Sequence, residues 1–320
     1  MRFPISACVI VILGAMTFSG TCRAADVAST RTEDVIYGRK HGMALTLDVF
    51  QPTEKNKRNG AGVVFCVSGS WFSSHAAINV NFLQEFLNRG YTVFAVVHGS
   101  QPKFTIPEAV SDMHRAMRFI RHNAAKYGVA ANRLGIAGGS AGGHLSLMIG
   151  TAGTPGNPKA KDPVDRESSR VQAVACFFPP TDFLNYGKPG ENALGRGVLK
   201  YFRAPFEFME YDRKINAFVL ITDEKRRNEI GKQISPVYHV TKDDPPTLII
   251  HGDADKLVPI QQSEIIIEKL KKAGVPSKLI VKKDAAHGWP KLVNDVAQLA
   301  DWFDKYLVKT ETDKKRAAQN

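Results

Sequence analysis

The chain has 320 residues, 43% hydrophobic and 23% charged, with 26 glycines and 17 prolines. That balance excludes a disordered, collagen-like or low-complexity chain and supplies ample apolar material for a large core. Lys and Arg number 43 against 31 acidic residues, a net +12, but apart from Lys225-Arg226-Arg227 and a Lys-rich C-terminal end they are scattered, which argues against a nucleic-acid footprint.

Met1-Arg2 is followed by an apolar run from Ile5 to Phe18 and then by Ser19-Gly20-Thr21-Cys22-Arg23-Ala24. The run falls short of the roughly 20 residues that a membrane-spanning helix needs. Residues 1–24 therefore read as a secretory signal peptide cut after Ala24 or Ala25, and the mature chain is expected to be secreted or periplasmic. No later stretch is apolar for long enough to span a bilayer, so no stable membrane insertion is expected after cleavage. Cleavage removes Cys8 and Cys22 and leaves Cys66 and Cys176. By count alone, two thiols in an exported protein favour a disulfide.

Short runs rich in Val, Ile and Leu follow: Val35–Tyr37, Leu45–Phe50, Val63–Val67, Thr92–Val97, Leu134–Ala137, Val171–Phe178, Thr247–Ile250 and Lys278–Val281. Helix-like segments lie between them at 81–89, 107–127, 143–150, 261–273 and 293–306. Such alternation specifies a mostly parallel eight-stranded sheet with helices on both faces. The first two runs, joined through His41-Gly42, read as an antiparallel hairpin at one edge. In the segment after Pro107, residues Ala109, Met113, Ala116, Met117, Ile120 and Ala124 share one face, Asp112 and Arg115 mostly take the other, and Gly128 supplies the stop. Residues 181–236 break the alternation with prolines, paired aromatics and charges but no clear strand, and read as a short lid insertion. One domain over 25–308 and a polar tail over 309–320 complete the organisation.

Three places carry chemistry. Gly138-Gly139-Ser140-Ala141-Gly142 follows an apolar run and precedes a helix, the context of a nucleophile elbow. The sharp turn strains the serine backbone, so its neighbours must be small, and the helix N-terminus favours negative charge beside Ser140. Asp253 and Asp255 sit on the loop after Thr247–Ile250, at the carboxyl edge where Ser140 also emerges, and either can orient a histidine. His287 follows the last run and completes the order Ser…Asp…His. No His-x-Glu or paired His-Cys spacing suits zinc and no Gly-x-x-x-x-Gly-Lys binds phosphate, so neither metal nor cofactor is expected.

GGSAGGHL over 138–145, the segment 112–133, Ser235-Pro236 and HGDADKLVP over 251–259 resemble the α/β-hydrolase-fold esterases of the hormone-sensitive-lipase-like and bacterial feruloyl and acetyl-xylan esterase-like group. The resemblance runs from about Tyr37 to Leu307 and implies the α/β-hydrolase fold. It also implies a triad of Ser140, Asp255 and His287, leaving Asp253 to cap its loop. Where the family has His-Gly-Gly-Gly-Trp, this chain has Val67-Ser68-Gly69-Ser70-Trp71. By analogy the amides of Gly69, Ser70 and Ala141 form the oxyanion hole. The family's strand order also places a strand between Cys66 and Cys176, too far for a bridge, so two buried free thiols are expected.

Trp71, Phe72, His75 and Trp289, and with them Tyr186, lie on loops at this edge and are expected to line an acyl or sugar pocket. His144 is expected to support the elbow from inside its helix, and Lys225–Arg227 to be a solvated helix face. The function implied is a secreted serine carboxylic-ester hydrolase working through an acyl-enzyme, its partner a small-molecule or polysaccharide ester. Prolyl-oligopeptidase domains are similar in the Asp and His segments, which keeps serine peptidase as an alternative. The altered oxyanion loop keeps a catalytically silent binding protein as another.

Overall fold

The computed structural model describes residues 26–308; the signal-peptide reading of 1–24 and the tail reading of 309–320 lie outside them. Strands β1 (Ser29–Lys40) and β2 (Met43–Pro52) pair antiparallel. Their turn places His41 at φ 47° and Gly42 at φ 77°, the two positive angles that suit strand twist in a two-residue hairpin. Then come β3 (Gly62–Val67), α1 (Asn81–Asn88), β4 (Thr92–Val97), α2 (Ile106–His122), β5 (Leu134–Gly139), α3 (Ala141–Ala152) and β6 (Ala173–Phe177). The short strands β7 (Met209–Asp212) and β8 (Ala217–Leu220) precede α4 (Glu224–Gln233), β9 (Thr247–Gly252), α5 (Gln261–Lys272), β10 (Ser277–Lys282) and α6 (Val296–Leu307).

The main sheet runs β1-β2-β4-β3-β5-β6-β9-β10, parallel from β4 to β10. Side chains alternate across it, and the alternation sorts them into two cores. Val64, Cys66, Phe94, Val96, Ile136, Val174 and Ile249 face α2, α3 and α5. Val63, Val67, Val93, Ala95, Ala175 and Ile250 face α1 and α6. Both faces are covered because the strands are apolar on both.

The predicted apolar face of α2 is buried, from Ala109 through Ile120. Two details differ from expectation. The helix ends at His122, a separate 3₁₀ turn covers 124–127, and Gly128 at φ 66° closes that turn instead. Asp112, expected on the face opposite the apolar one, is buried as well, because it accepts from the Gly99 amide at 2.8 Å and Lys40 Nζ at 2.6 Å.

The insertion packs into the first core through Phe183, Leu194, Phe206, Phe208, Ile230 and Ile234. It does contain strands, the β7–β8 hairpin. Arg227 is not solvated either: it lies buried over the Phe208 ring and donates to the carbonyls of Ile221 and Leu194. No helix among the described residues is long and apolar enough to cross a membrane.

Cys66 on β3 and Cys176 on β6 are both buried and free, with β5 between them. Burial pushes both thiols well above their ordinary range, which removes the reactive thiolate. The chain starting at residue 26 should show no titratable thiol toward Ellman's reagent when native and both thiols once denatured; one fast-reacting native thiol would contradict this packing.

Candidate active site

Ser140 occupies the junction of β5 and α3 at φ 53°, ψ −119°, a conformation that costs on the order of 1–3 kcal/mol for a residue with a side chain. It is held by its amide donating to Phe177 O at 3.0 Å and its carbonyl accepting from His144 N at 2.9 Å. The glycines around it differ in what they permit. A Cβ on Gly138 would meet the Gly142 carbonyl carbon at 2.5 Å, one on Gly142 the Cys66 oxygen at 2.6 Å, and one on Gly143 the Phe177 oxygen at 2.8 Å. A Cβ on Gly139 would find its nearest neighbour at 3.6 Å. The turn therefore requires Gly138 and Gly142, and not every small flank that the sequence offers.

His287 Nε2 lies 3.0 Å from Ser140 Oγ, and His287 Nδ1 lies 2.7 Å from Asp255 Oδ2. An ionised carboxylate only accepts, so Nδ1 carries the hydrogen and Nε2 is free to take the serine proton. The histidine loop reaches this place because β9 ends on a glycine. A Cβ on Gly252 would stand 2.1 Å from Ala285 O, and the Ala254 amide donates to that same carbonyl at 3.0 Å. Asp253 Oδ1 accepts from Asp284 N at 2.6 Å. Asp253 thus staples the two loops, and Asp255 is the carboxylate that faces His287.

Asp255 is gathered by four donors. Leu257 N and Val258 N reach Oδ1 at 2.9 Å each, His287 reaches Oδ2, and His251 Nε2 lies 3.2 Å from Oδ2 and 2.8 Å from Val258 O. Because His251 Nε2 faces only acceptors it must donate, and its Nδ1 then accepts from Ser263 Oγ at 2.6 Å. Burial pushes the Asp255 carboxyl upward, but hydrogen bonds from His251, His287 and the Val258 amide outweigh it and hold the group well below the usual carboxylate range. Asp255 stays ionised wherever an imidazole titrates.

The loop after β3 departs from expectation at Gly69. Its amide donates to Phe72 O at 3.0 Å while the Phe72 amide donates back to Gly69 O at 2.8 Å, so Gly69 N–H is already engaged. Ser70 and Trp71 follow at φ 52° and 59°, and no hydrogen bond from the Ser70 amide occurs among the described residues. Ala141, first residue of α3, has no intrahelical partner for its N–H. Of the three amides expected to act together, those of Ser70 and Ala141 are the two without a partner among the described residues.

Of the residues expected to line a pocket, Trp71 is 3% exposed and packs against His144, Phe183 and Phe206, its Nε1 donating to His144 Nδ1 at 3.1 Å. Tyr186 is buried with its hydroxyl donating to Leu257 O. Trp289 donates to Asp295 Oδ2 at 2.6 Å and its ring packs on Phe177 and Phe178. His75 lies with Thr46, Asp34 and Asp48 at the β1–β2 edge. One ligand atom each of Asp34, Asp48 and His75 lies within 4.8 Å of the others, the grouping among the described residues that could hold a metal ion, but Arg31 already neutralises Asp48 through its Nε at 2.8 Å. Phe72, 49% exposed, remains open to solvent beside the oxyanion loop.

Two neighbours were not singled out from the sequence. Phe178, at φ 34°, lays its ring 4.5 Å from the His287 imidazole. His251 braces Asp255; its position at the end of β9, four residues before the acid, was the available signal.

The family model described as BD-FAE matches residues 47–270. LipM of Mycobacterium tuberculosis, a probable carboxylic ester hydrolase, is 27% identical over 74% of this chain and 51% of its own. The chain spans about half the length of the curated relatives it matches. A truncated carbohydrate esterase from gut microbiota superposes with a TM-score of 0.67 at 27% identity, over 89% of this chain and 99% of that one. Butyrate-bound esterase 2 of Thermogutta terrifontis does so at 0.64 and 25%, over 85% and 93%.

Gly252→Ala should push the His287 loop away and slow covalent labelling of Ser140 by a fluorophosphonate about 10²-fold. Gly139→Ala, with room for its methyl, should label within about twofold of the parent, comparable to the spread of near-neutral surface changes. Equal rates for the two variants would refute the close-approach argument.

Proposed function

This chain belongs to the BD-FAE family and has the α/β-hydrolase fold, and we propose that it is a serine carboxylic-ester hydrolase working through an acyl-enzyme. The observation that carries the reading is the unbroken series Ser140 Oγ, His287 Nε2, His287 Nδ1, Asp255 Oδ2, at 3.0 and 2.7 Å for its two hydrogen bonds. In this mechanism His287 takes the Ser140 proton as Oγ attacks the ester carbonyl, and the ionised Asp255 stabilises the imidazolium that forms. The amides of Ser70 and Ala141 stabilise the oxyanion, each such donor being typically worth about 10²–10³ in turnover. His287 then returns the proton to the departing alcohol, and a water activated by the same nitrogen releases the acid.

The substrate class we propose is a short acyl ester carried on a carbohydrate, with export of the mature chain. The apolar leader-like run at residues 5–18 supports export. Similarity to a protein titled a carbohydrate esterase and to an esterase solved with butyrate supports the substrate; the step from neighbours to this chain is one of analogy.

Hydrolysis of p-nitrophenyl acetate and butyrate by the chain from residue 26 should vanish in Ser140→Ala and fall by roughly 10⁴ in Asp255→Asn, where the histidine loses its tautomer control. Turnover in Ser140→Ala equal to the parent would refute the nucleophile assignment.

A further inference from the structure

Two consecutive residues with side chains, Ser70 and Trp71, hold left-handed backbone angles in the loop that faces the elbow. Such conformations persist only where the surroundings over-determine them. Downstream, Trp71 is wedged among His144, Phe183 and Phe206. Across the turn, Gly69 and Phe72 exchange backbone hydrogen bonds. Upstream the polar anchor is a side chain, Ser68, and what it meets is His98 at the end of β4.

His98 is 2% exposed. Its Nδ1 lies 2.8 Å from Gly99 O and its Nε2 lies 2.8 Å from Ser68 Oγ. A carbonyl only accepts, so Nδ1 carries the hydrogen, Nε2 presents a lone pair, and the Ser68 hydroxyl donates to it. The imidazole is itself located from behind. Its amide donates to Ser73 Oγ, which donates to Val67 O, and the next amide, Gly99 N, donates to Asp112 Oδ2, where Lys40 is also bound. Lys40 and Asp112 are the charged groups at this place. Burial, opposed by the Gly99 hydrogen bond and aided by the Lys40 charge, pushes the His98 imidazole down to about 4, so it stays a neutral acceptor at ordinary pH.

We propose that Ser68 and His98 are a positioning pair for the oxyanion loop, holding the Ser70 amide in the orientation that meets the developing charge. The pair touches no reacting atom. It acts through the loop, and it rests on the reading of Ser140 as nucleophile given above. Its absence would let residues 68–71 relax from their strained angles, with the loss falling on the transition state rather than on ground-state binding.

The test uses p-nitrophenyl acetate kinetics on the chain from residue 26 with Ser68→Ala, His98→Phe, their double variant, Ser68→Thr and Ser140→Ala. Ser68→Ala and His98→Phe should each lower kcat about 10- to 100-fold, below the loss typical of deleting an oxyanion donor outright, with KM within about twofold. The double variant should lose no more than the worse single one, because each removes the same contact. Ser68→Thr, which keeps the hydroxyl, should restore most of kcat. A parent-like kcat in Ser68→Ala, a raised KM with kcat intact, or additive losses in the double variant would overturn the proposal. Because His98 is buried, Ser68→Ala decides the matter if His98→Phe does not fold. Ser140→Ala separates the two readings: if it is dead, a failed pair fails alone, and if it turns over like the parent, the pair falls with the nucleophile.

Discussion

The site depends on a contact between backbones. The first turn of α3 is pressed against the ends of β3 and β6 so closely that Gly142 and Gly143 have no space for a Cβ, at 2.6 and 2.8 Å from the oxygens of Cys66 and Phe177. Interiors this dense transmit position directly. Ser140 precedes those glycines, the oxyanion loop continues from β3, and Phe178, which follows β6, packs on His287. One steric fit therefore fixes the serine relative to both the loop that follows β3 and the His287 ring. A substituent at Gly142 would press on the Cys66 and Ser68 oxygens and displace the serine from the loop that follows β3.

Around that contact, burial divides the histidines into two kinds. His98, His144 and His251 are sealed from solvent, and each has one nitrogen donating to a carbonyl and the other accepting. Burial pushes His98 and His144 down to about 4, so they behave as fixed, uncharged bridges. His287 keeps a partly exposed side chain, and neither of its nitrogens faces a carbonyl: Nδ1 meets Asp255 and Nε2 the Ser140 hydroxyl. In the mechanism proposed above it is the ring that takes up the serine proton, with the ionised Asp255 beside it. The same side chain thus serves as strut or as proton carrier according to what surrounds it.

The fold was legible because its signals are periodic or local. Eight apolar runs became eight strands, and the α2 face from Ala109 to Ile120 followed from spacing alone. Ser140 and His287 were legible because an elbow needs glycines at defined offsets and because loops after parallel strands share one edge. Position along the loop alone left Asp253 and Asp255 open, and the family resemblance chose Asp255; the close approach of Ala285 to Gly252 gives the physical reason why Asp255 meets the imidazole while Asp253 staples the loops. The loop residues were read least well. Trp71 turned inward and the Gly69 amide was consumed because Ser70 and Trp71 adopt left-handed angles, which no composition or period announces. The β7–β8 strands were missed for a different reason. They are four residues each, and their exposed side chains include Met209, Tyr211, Phe218 and Leu220, so no inward-facing pattern marks them.

These loop contacts change what the insertion is. Phe183 and Phe206 belong to it, and both lie against Trp71 of the oxyanion loop. Ile234 follows α4, and its carbonyl accepts from His144 Nε2 at 2.7 Å, while His144 Nδ1 accepts from Trp71. Insertion, elbow helix and oxyanion loop are therefore joined through one buried imidazole and one indole. A cover that opened on a hinge would have to break an indole–imidazole hydrogen bond and expose three fully or nearly buried aromatic rings, each worth on the order of 1.5–3 kcal/mol of burial. That cost makes the segment from Thr181 to Ser235 a brace: its packing is what holds Trp71, and through Trp71 the strained angles of the loop that faces Ser140. The β7–β8 ribbon, with Met209, Tyr211, Phe218 and Leu220 exposed, stands outside this brace.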